Sequence, residues 1–356
     1  MDNIELSIIV PVFNVEGYLR RALDSILFQS SQIRYEILLI DDESSDQSGE
    51  ICDEYQKHFS NVLVRHIVNR GVAEARNLGI SLSRGEYLYF MDPDDFISEN
   101  FFGEISHHLN KKWDVLCFGY NEIKEKNNTT LSCRKHSYKH IGLLKKNEFR
   151  NEFIGLFKTD MMYNVWSRIY NKAFILKYDI HFPSRQIGED TLFNFQVYKH
   201  LDAVFFINST LYNYVAGRSG SALTRFNPKR IQIQLDELQE LQKLLKQFQI
   251  EDETLIQEIK TKIVVSAAFQ ISNLKLRRQK KIELLQSLVD NEAFESIFLN
   301  NGEQIIGSYK ELLRERNFSL FLRRLSIDLL TKKKFQMVIF IEKMKMNPFL
   351  RKIAFK

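Results

Sequence analysis

The chain has 356 residues, 44% of them hydrophobic and 28 of them phenylalanine, so it can bury a substantial core and is not globally disordered. Its three cysteines show neither zinc spacing nor a disulfide framework, which favours a reducing cytosol. No apolar stretch approaches the length of a membrane span, and the acidic N-terminus is unlike a signal peptide. We therefore expect a cytoplasmic protein.

The first hundred residues alternate short apolar strands with amphipathic helices. Strands are predicted over 6–13, 35–42, 62–68 and 86–92, and helices over 17–29, 46–59 and 72–82. This alternation implies an α/β fold with a mostly parallel sheet flanked by helices. Ligands of such sheets bind beyond the carboxyl ends of the strands. Three polar clusters, Pro11–Asn14, Asp41–Asp42 and Asp92–Asp95, are expected together at that edge.

The fourth predicted strand ends in a cluster of three aspartates, in the sequence GEYLYFMDPDD. Asp92 and Asp94 face the same side if the chain is extended there. Carboxylate oxygens suit Mg²⁺ or Mn²⁺, which typically bridge such groups to a diphosphate. The alternative is a solvated acidic turn, because Asp and Pro both favour turns. The chain has no GxGxxG and no GxxxxGK[ST] loop, which argues against a dinucleotide dehydrogenase and a P-loop kinase.

The remainder of the chain divides into a mixed segment and a helical one. A strand is predicted over 114–123, and two further segments, 165–175 and 182–201, are candidates for the active site. From Pro228 onward the apolar spacing predicts mainly helices with packing faces.

These segments together resemble the family 2 glycosyltransferases of the GT-A fold, and among them the bacterial enzymes that build capsular polysaccharide, exopolysaccharide or teichoic acid. The matching pieces are SIIVPVFNVEGYLRRALDSIL, EILLIDDESSD, NRGVAEARNLGI, GEYLYFMDPDD, VWSRIYNK and GEDTLF. The resemblance implies a GT-A domain with a nucleotide-sugar-binding half over 1–100 and an acceptor-binding half over 101–226. A helical region with a basic amphipathic tail follows over 227–356.

The resemblance also implies which residues hold the UDP-sugar donor. Asp92 and Asp94 match the family's DxD motif and would bind Mn²⁺ or Mg²⁺. The implied donor contacts are Pro11, Phe13, Asn14, Glu16, Asp41, Asp42, Arg76, Asp92 and Asp94. The residues alone favour a different interpretation, in which Asp41 and Asp42 cap the next helix and Arg76 is a solvated or salt-bridged residue.

Catalysis is implied for the GEDTLF segment, where Asp190 would be the base and Glu189 its support. Both residues also suit the acidic N-terminus of a helix, and the two roles are compatible. Trp166 is explained either as an acceptor platform or as core. Arg168 replaces a common Lys, which suggests altered acceptor contacts, and Arg218 either reaches the diphosphate or ends a strand.

Two further departures from the family pattern concern turns. Glu43 stands where the family often has Gly, so the loop after the second strand is expected to differ. Pro93 replaces a small residue and is expected to stiffen the DxD turn.

The predicted function is inverting transfer of a sugar from a UDP-sugar to a hydroxyl of a growing cell-surface glycan. The resemblance implies an acceptor linked to undecaprenyl phosphate. One alternative is a sugar nucleotidyltransferase, although that class normally has a glycine- and lysine-rich loop near the first strand. The other is a non-catalytic module that binds a membrane or nucleic acid; no nucleic-acid motif is recognisable, so nucleic acid is not expected.

The net charge of +5 is concentrated at the C-terminal end. Residues 320–356 contain ten basic and two acidic side chains, a net +8, which leaves −3 for the remainder. Basic and large apolar residues alternate there, as in helices that lie on an anionic bilayer. The apolar members are Leu320, Phe321, Leu325, Leu329, Leu330, Phe335, Val338, Ile339 and Phe340. We expect a protein peripheral to the inner face of the cell membrane; the alternative is a helix packed on the body with its charges in solvent.

Overall fold

The structure is a computed structural model that describes residues 4–109, 111–126, 129–185, 187–217, 227, 229–299, 306, 312 and 317–345. The chain separates into two compact units, Met1–Leu223 and Thr224–Lys356, here called the N-terminal and C-terminal units.

The N-terminal unit begins with the predicted alternation of strands and helices. In chain order its elements are β1 (Leu6–Val12), α1 (Glu16–Leu27), β2 (Tyr35–Asp41), α2 (Ser48–His58), β3 (Val62–His66), α3 (Val72–Leu82), β4 (Tyr87–Phe90), β5 (Phe96–Ile97), α4 (Phe101–Leu109), β6 (Val115–Lys126), β7 (Thr129–His136), β8 (Gly142–Lys145), α5 (Lys146–Phe157), β9 (Arg168–Asn171), α6 (Lys172–Lys177), α7 (Glu189–His200) and β10 (Ala203–Ala216).

The strands form one sheet in the order β3-β2-β1-β4-β9-β6-β10-β5, with β7 beside β6 and β8 beside β10. The first four strands of this order are parallel. Strand β9 pairs antiparallel with both β4 and β6, and so joins the parallel half to the parallel pair of β6 and β10. The carboxyl ends of β1, β2 and β4 consequently lie at one edge of the sheet.

Helix α3 lies very close to the sheet, and this approach positions the site described below. Gly79 faces Ile9 of β1, and a Cβ atom at residue 79 would lie 2.3 Å from Cγ2 of Ile9. Only glycine allows so short a separation between the helix and the strand. Every residue of β1 is buried, as expected for a parallel strand covered on both faces.

The C-terminal unit is helical within its described residues. Its elements are α8 (Arg230–Phe248), α9 (Glu253–Asn273), α10 (Arg278–Val289), a 3₁₀ turn (Glu292–Phe294), α11 (Glu295–Leu299), α12 (Phe318–Thr331) and α13 (Phe335–Met344). The predicted α/β class with a helical C-terminal region is confirmed. Among the described residues, no helix is long and apolar enough to cross a bilayer.

The tail contributes to the core of the C-terminal unit. Five of the apolar residues that the sequence assigned to a membrane-facing surface are buried in this core: Leu329, Leu330, Phe335, Val338 and Ile339. Their assignment to a membrane surface is wrong, because α12 and α13 pack these side chains against neighbouring helices. Phe340 is 65% exposed. Arg351 and Lys352 of the predicted basic set lie outside the described residues.

Candidate active site

The turn after β4 gathers the three predicted aspartates. Carboxylate oxygens of Asp92, Asp94 and Asp95 lie within 4.8 Å of one another. Asp95 is buried, and its oxygens accept hydrogen bonds from the Tyr212 hydroxyl at 2.7 Å and the Val215 amide at 2.8 Å. Burial raises the pKa of Asp95 to about 7. Asp95 therefore anchors the turn to β10, while Asp92 and Asp94 remain partly exposed.

Arg76 links this turn to the start of α7. Its side chain is only 3% exposed. Nη2 donates to Asp92 Oδ1 at 2.9 Å, and Nη1 donates to Asp190 Oδ1 at 2.6 Å and to Glu189 Oε1 at 3.1 Å. The guanidinium also lies 5.2 Å from the centre of the Phe182 ring. The predicted metal ligand and the predicted base are thus held by one buried cation.

Glu189 and Asp190 occupy the first turn of α7, which follows Gly188 in a left-handed conformation. Negative charge is favourable at this helix end. The Asp190 side chain is 23% exposed. Burial raises the pKa of Asp190 to about 7, an effect that nearby Arg76 opposes and the charges of Glu189 and Asp92 reinforce. A carboxylate that titrates near neutral pH is suited to general-base catalysis.

The acidic pair at the end of β2 is buried and bonded to loops. Asp42 accepts hydrogen bonds from the amides of Arg70 and Gly71, each at 2.8 Å, just before α3 begins. Asp41 accepts from the Ser44 amide at 3.2 Å and lies 2.7 Å from Nδ1 of His66. Within this described stretch neither carboxylate bonds to the first turn of α2, so the alternative of helix capping is wrong.

The residues that follow β1 hold the loop between β2 and α2. Asn14 Oδ1 accepts from the amides of Ser45 and Asp46 at 2.7 and 3.3 Å, and Glu16 Oε2 accepts from the Gln47 amide at 2.8 Å. These bonds fix the loop beside the end of β1.

Pro11 and Phe13, the two other residues predicted at this edge of the sheet to contact the sugar donor, differ in exposure. Pro11 is buried inside β1, whereas the Phe13 ring is 47% exposed. Glu43 has φ of 63°, a left-handed conformation that favours glycine.

Two residues expected to touch the acceptor are buried. Trp166 is 8% exposed and stacks on Tyr212, with ring centres 4.4 Å apart. Arg168 is fully buried, and its Nη2 donates to the Met161 carbonyl at 2.6 Å. The expectation that Arg168 alters acceptor contacts is therefore wrong, because its guanidinium is committed to the interior. Arg218 lies outside the described residues.

Sequence reasoning missed the mutual arrangement of these groups. It did not predict that Arg76 pairs with Asp190, which lies 114 positions further along the chain. It also did not predict the contact of His66 with Asp41, which lies directly opposite it in the parallel register of β2 and β3. If the predicted strands 35–42 and 62–68 had been paired in parallel, Asp41 and His66 would have been expected side by side.

The mostly parallel sheet and the acidic turn after β4 are the features that the sequence analysis expected of the GT-A fold. The model of the family described as Glycosyl transferase family 2 matches residues 7–174. Glycosyltransferase GlyG of Streptococcus pneumoniae serotype 4 is 31% identical over 224 residues, which are 61% of this chain and 72% of GlyG. The chain belongs to glycosyl transferase family 2.

This chain covers less than two thirds of the length of some other curated relatives. EpsJ, an uncharacterized glycosyltransferase of Bacillus subtilis (strain 168), is 29% identical over 212 residues, which are 59% of this chain and 60% of EpsJ. Poly(ribitol-phosphate) β-glucosyltransferase of Bacillus spizizenii is 28% identical over 227 residues, which are 62% of this chain and 33% of the relative.

Solved structures support the fold. Staphylococcus aureus TarS 1–349 in complex with UDP-GlcNAc matches with a TM-score of 0.51 and 20% identity, covering 96% of this chain and 91% of that chain. Mannosyltransferase PcManGT of Pyrobaculum calidifontis, in complex with GDP-Man and Mn²⁺, matches with a TM-score of 0.50 and 11% identity, covering 97% and 87%.

Proposed function

We propose that the protein transfers a sugar from a UDP-sugar to a hydroxyl of a growing cell-surface glycan, with inversion at the anomeric carbon. The observation that carries this proposal is the convergence of Asp92 and Asp190 on Arg76 at the carboxyl edge of a parallel sheet. Family membership supports sugar transfer as the reaction class, and the relative that acts on poly(ribitol-phosphate) supports a cell-envelope acceptor.

The donor would lie along the edge formed by the ends of β1 and β2. The exposed Phe13 ring offers an apolar face to a nucleobase. Each Asp42 oxygen accepts one amide hydrogen bond, and its second lone pair would accept a bond from the base or ribose. TarS, solved with UDP-GlcNAc, shares this fold, and its ligand supports UDP as the nucleotide to test first.

The turn after β4 fits a divalent cation. Asp95 is buried, and both of its oxygens accept hydrogen bonds from β10, whereas Asp92 and Asp94 are partly exposed. Asp92 and Asp94 are therefore the two carboxylates that would hold Mn²⁺ or Mg²⁺. Two protein carboxylates plus diphosphate oxygens are a typical ligand set for these ions. When bound, the ion would neutralise charge on the leaving diphosphate.

Asp190 would act as the general base. An acceptor hydroxyl is a weak nucleophile at neutral pH, so its proton must be removed as it attacks. In a single displacement, the Asp190 carboxylate takes that proton, the acceptor oxygen bonds to the anomeric carbon, and the bond to the diphosphate breaks, with its electron pair leaving on UDP. Glu189 would support the base by sharing Nη1 of Arg76 with it.

The acceptor and location follow from the family resemblance. We infer a lipid-linked acceptor on undecaprenyl phosphate, and hence a place at the inner face of the cell membrane. A sugar nucleotidyltransferase is the alternative class. It would release pyrophosphate from UTP and a sugar phosphate, whereas the proposed reaction releases UDP from a UDP-sugar.

Asp94→Asn tests nucleotide binding through the metal. UDP is titrated by fluorescence into the wild type and the variant, with and without Mn²⁺. The wild type should bind UDP more tightly with Mn²⁺, and the variant should lose most of this gain, because an amide is a poorer ligand for a hard cation than a carboxylate. Asp179→Asn, at an exposed position outside the site, is the matched control. Wild-type affinity that does not respond to Mn²⁺ would contradict the proposal.

A further inference from the structure

Helix α13 carries an apolar stripe on the side that faces away from the core. Met337, Phe340 and Met344 are 50%, 65% and 38% exposed. Their spacing places them on one helix face. Phe335, Val338 and Ile339 are buried in the helical core on the other side. A surface helix of a soluble protein normally presents polar residues outward, so this second apolar face is unusual.

Basic side chains surround this stripe. Lys332, Lys333 and Lys334 are exposed in the turn before α13, and Lys343 is exposed near its end. Lys333 lies 3.7 Å from Asp290, so part of its charge is offset. The stripe is therefore bordered by positive charge at both ends.

A second basic segment is held beside the start of α13. Arg278 Nη2 donates to Gln336 Oε1 at 2.9 Å. Arg278 begins α10, and the residues just before it include Lys275 and Arg277, both exposed. The two segments lie far apart in the chain, since Arg278 and Gln336 are separated by 58 positions.

An open cavity lies between the lysines and the stripe. Its volume is about 360 Å³, and it is lined by Ile282, Lys333, Lys334, Phe335, Gln336 and Met337. A lining that combines lysines with apolar side chains suits a ligand with an anionic head and a hydrocarbon body. An anionic phospholipid has this combination, whereas a nucleic acid would leave Phe340 and the two methionines in water.

We propose that the stripe of Met337, Phe340 and Met344, with the surrounding basic residues, docks on a bilayer containing anionic phospholipid. We call this surface the docking face. It consists of the stripe, Lys332–Lys334, Lys343, Lys275 and Arg277. The apolar side chains enter the boundary between headgroups and acyl chains, and the basic groups contact the headgroups. This inference names the surface that would hold the protein at the proposed membrane location. It rests on the proposed function only for the reason why the protein would be there.

The test is flotation of the full chain with vesicles of phosphatidylcholine alone or with phosphatidylglycerol added. The wild type should float with the anionic vesicles at low salt. It should float poorly with neutral vesicles, and also at about 1 M salt, where the screening length falls to about 3 Å. Wild-type protein that stays with the soluble fraction on anionic vesicles at low salt overturns the proposal.

Two triple variants divide the docking face. Lys332→Gln, Lys334→Gln and Lys343→Gln together should lower the partition coefficient about a hundredfold, from about fivefold for each charge. Met337→Ser, Phe340→Ser and Met344→Ser together should lower it at least roughly tenfold, because exposed apolar area that enters the bilayer is removed. All six side chains are outside the core, so both variants should unfold at the wild-type temperature.

Matched controls come from the N-terminal unit. Phe28→Ser removes an aromatic ring that is 73% exposed, and Lys57→Gln, Lys112→Gln and Lys139→Gln together remove three exposed charges. Both controls should float like the wild type. If the controls lose binding as strongly as the matching variants, then vesicle binding depends on the overall charge or exposed apolar surface of the protein and not on the docking face. That result would overturn the proposal.

Two other occupants of the face give different results. If duplex DNA displaces the protein from vesicles and binds the serine variant unchanged, the basic groups are a polyanion site and the proposal fails. If the wild type is a dimer that the serine variant converts to a monomer, the stripe is a subunit interface and the proposal also fails. The flotation contains no donor, and the serine variant should bind UDP like the wild type, so failure of docking is separable from failure of the proposed function.

Discussion

Arg76 is expected from the family resemblance to contact the nucleotide, but its guanidinium is buried and bonded to three carboxylates. Nη1 serves Asp190 and Glu189, and Nη2 serves Asp92. A residue so committed positions the turn after β4 against the start of α7. The contact with nucleotide remains a prediction, and the positioning follows from the hydrogen bonds.

Arg76→Met should lower the free energy of unfolding by about 3 kcal/mol at pH 7, because it leaves three partly buried carboxylates without their buried cation. Urea denaturation measures this loss. Adding Asp92→Asn to the variant should recover part of it, since the second substitution removes one of the carboxylates that Arg76 had bonded. A single variant as stable as the wild type would show that the three ion pairs contribute nothing net.

The loop between β2 and α2 is held by side chains from both neighbouring strand ends. Asn14 and Glu16 bind its amides from the β1 side, and His66 binds Asp41 from the end of β3. His66 Nε2 also lies 3.1 Å from Asp53, in α2. Three elements therefore determine the shape of the loop that would border the donor.

His66 should make this loop sensitive to pH. Its hydrogen bonds to Asp41 and Asp53 raise its pKa above the ordinary 6.5. A raised folded-state pKa contributes stability that is fully present below pH 6.5 and is lost as the pH rises through the folded value. His66→Gln should therefore destabilise the protein more at pH 5.5 than at pH 8.5, by urea denaturation, while His107→Gln, at an exposed helix position, should not. An equal loss at both pH values would contradict the assignment.

The sequence predicted the elements of the parallel half well, because each strand and helix there has a clear local pattern. Helix α3 spans 72–82 as predicted, and β1 to β4 lie within the predicted strands. Strand β9 was missed: its four residues lie in a segment taken as a candidate for the active site. A short strand placed between β4 and β6 is specified by distant partners and not by local periodicity.

The sequence predicted which acidic residues form the candidate site, but it did not predict how their side chains are arranged. The pattern around Asp92 and Asp94 predicted a cluster, which the structure contains. It did not reveal that Asp95 turns inward, because Tyr212 and Val215 lie more than a hundred residues away. The burial of the Arg168 guanidinium was not predicted either, although the Met161 carbonyl to which it donates lies only seven residues away.

For the whole molecule, composition predicted a basic amphipathic end, but only packing separates its two faces. Leu330 and Val338 enter the helical core, and Phe340 and Met337 remain exposed. Both groups are apolar, so the sequence placed the buried Leu330 and Val338 in one set with the exposed Phe340. The N-terminal unit carries the proposed chemistry, and the C-terminal unit carries the proposed docking face.

The most direct test of the central claim compares the wild type with Asp190→Asn, using a panel of UDP-sugars and measuring released UDP with an acceptor extract. The account predicts that the wild type releases UDP from at least one donor. It also predicts that the variant binds UDP with unchanged affinity but turns over at least roughly a hundredfold more slowly, a typical contribution of a general base. A variant that turns over near the wild-type rate would contradict Asp190 as the base, and a wild type that releases pyrophosphate from UTP but no UDP from any donor would contradict the proposed reaction.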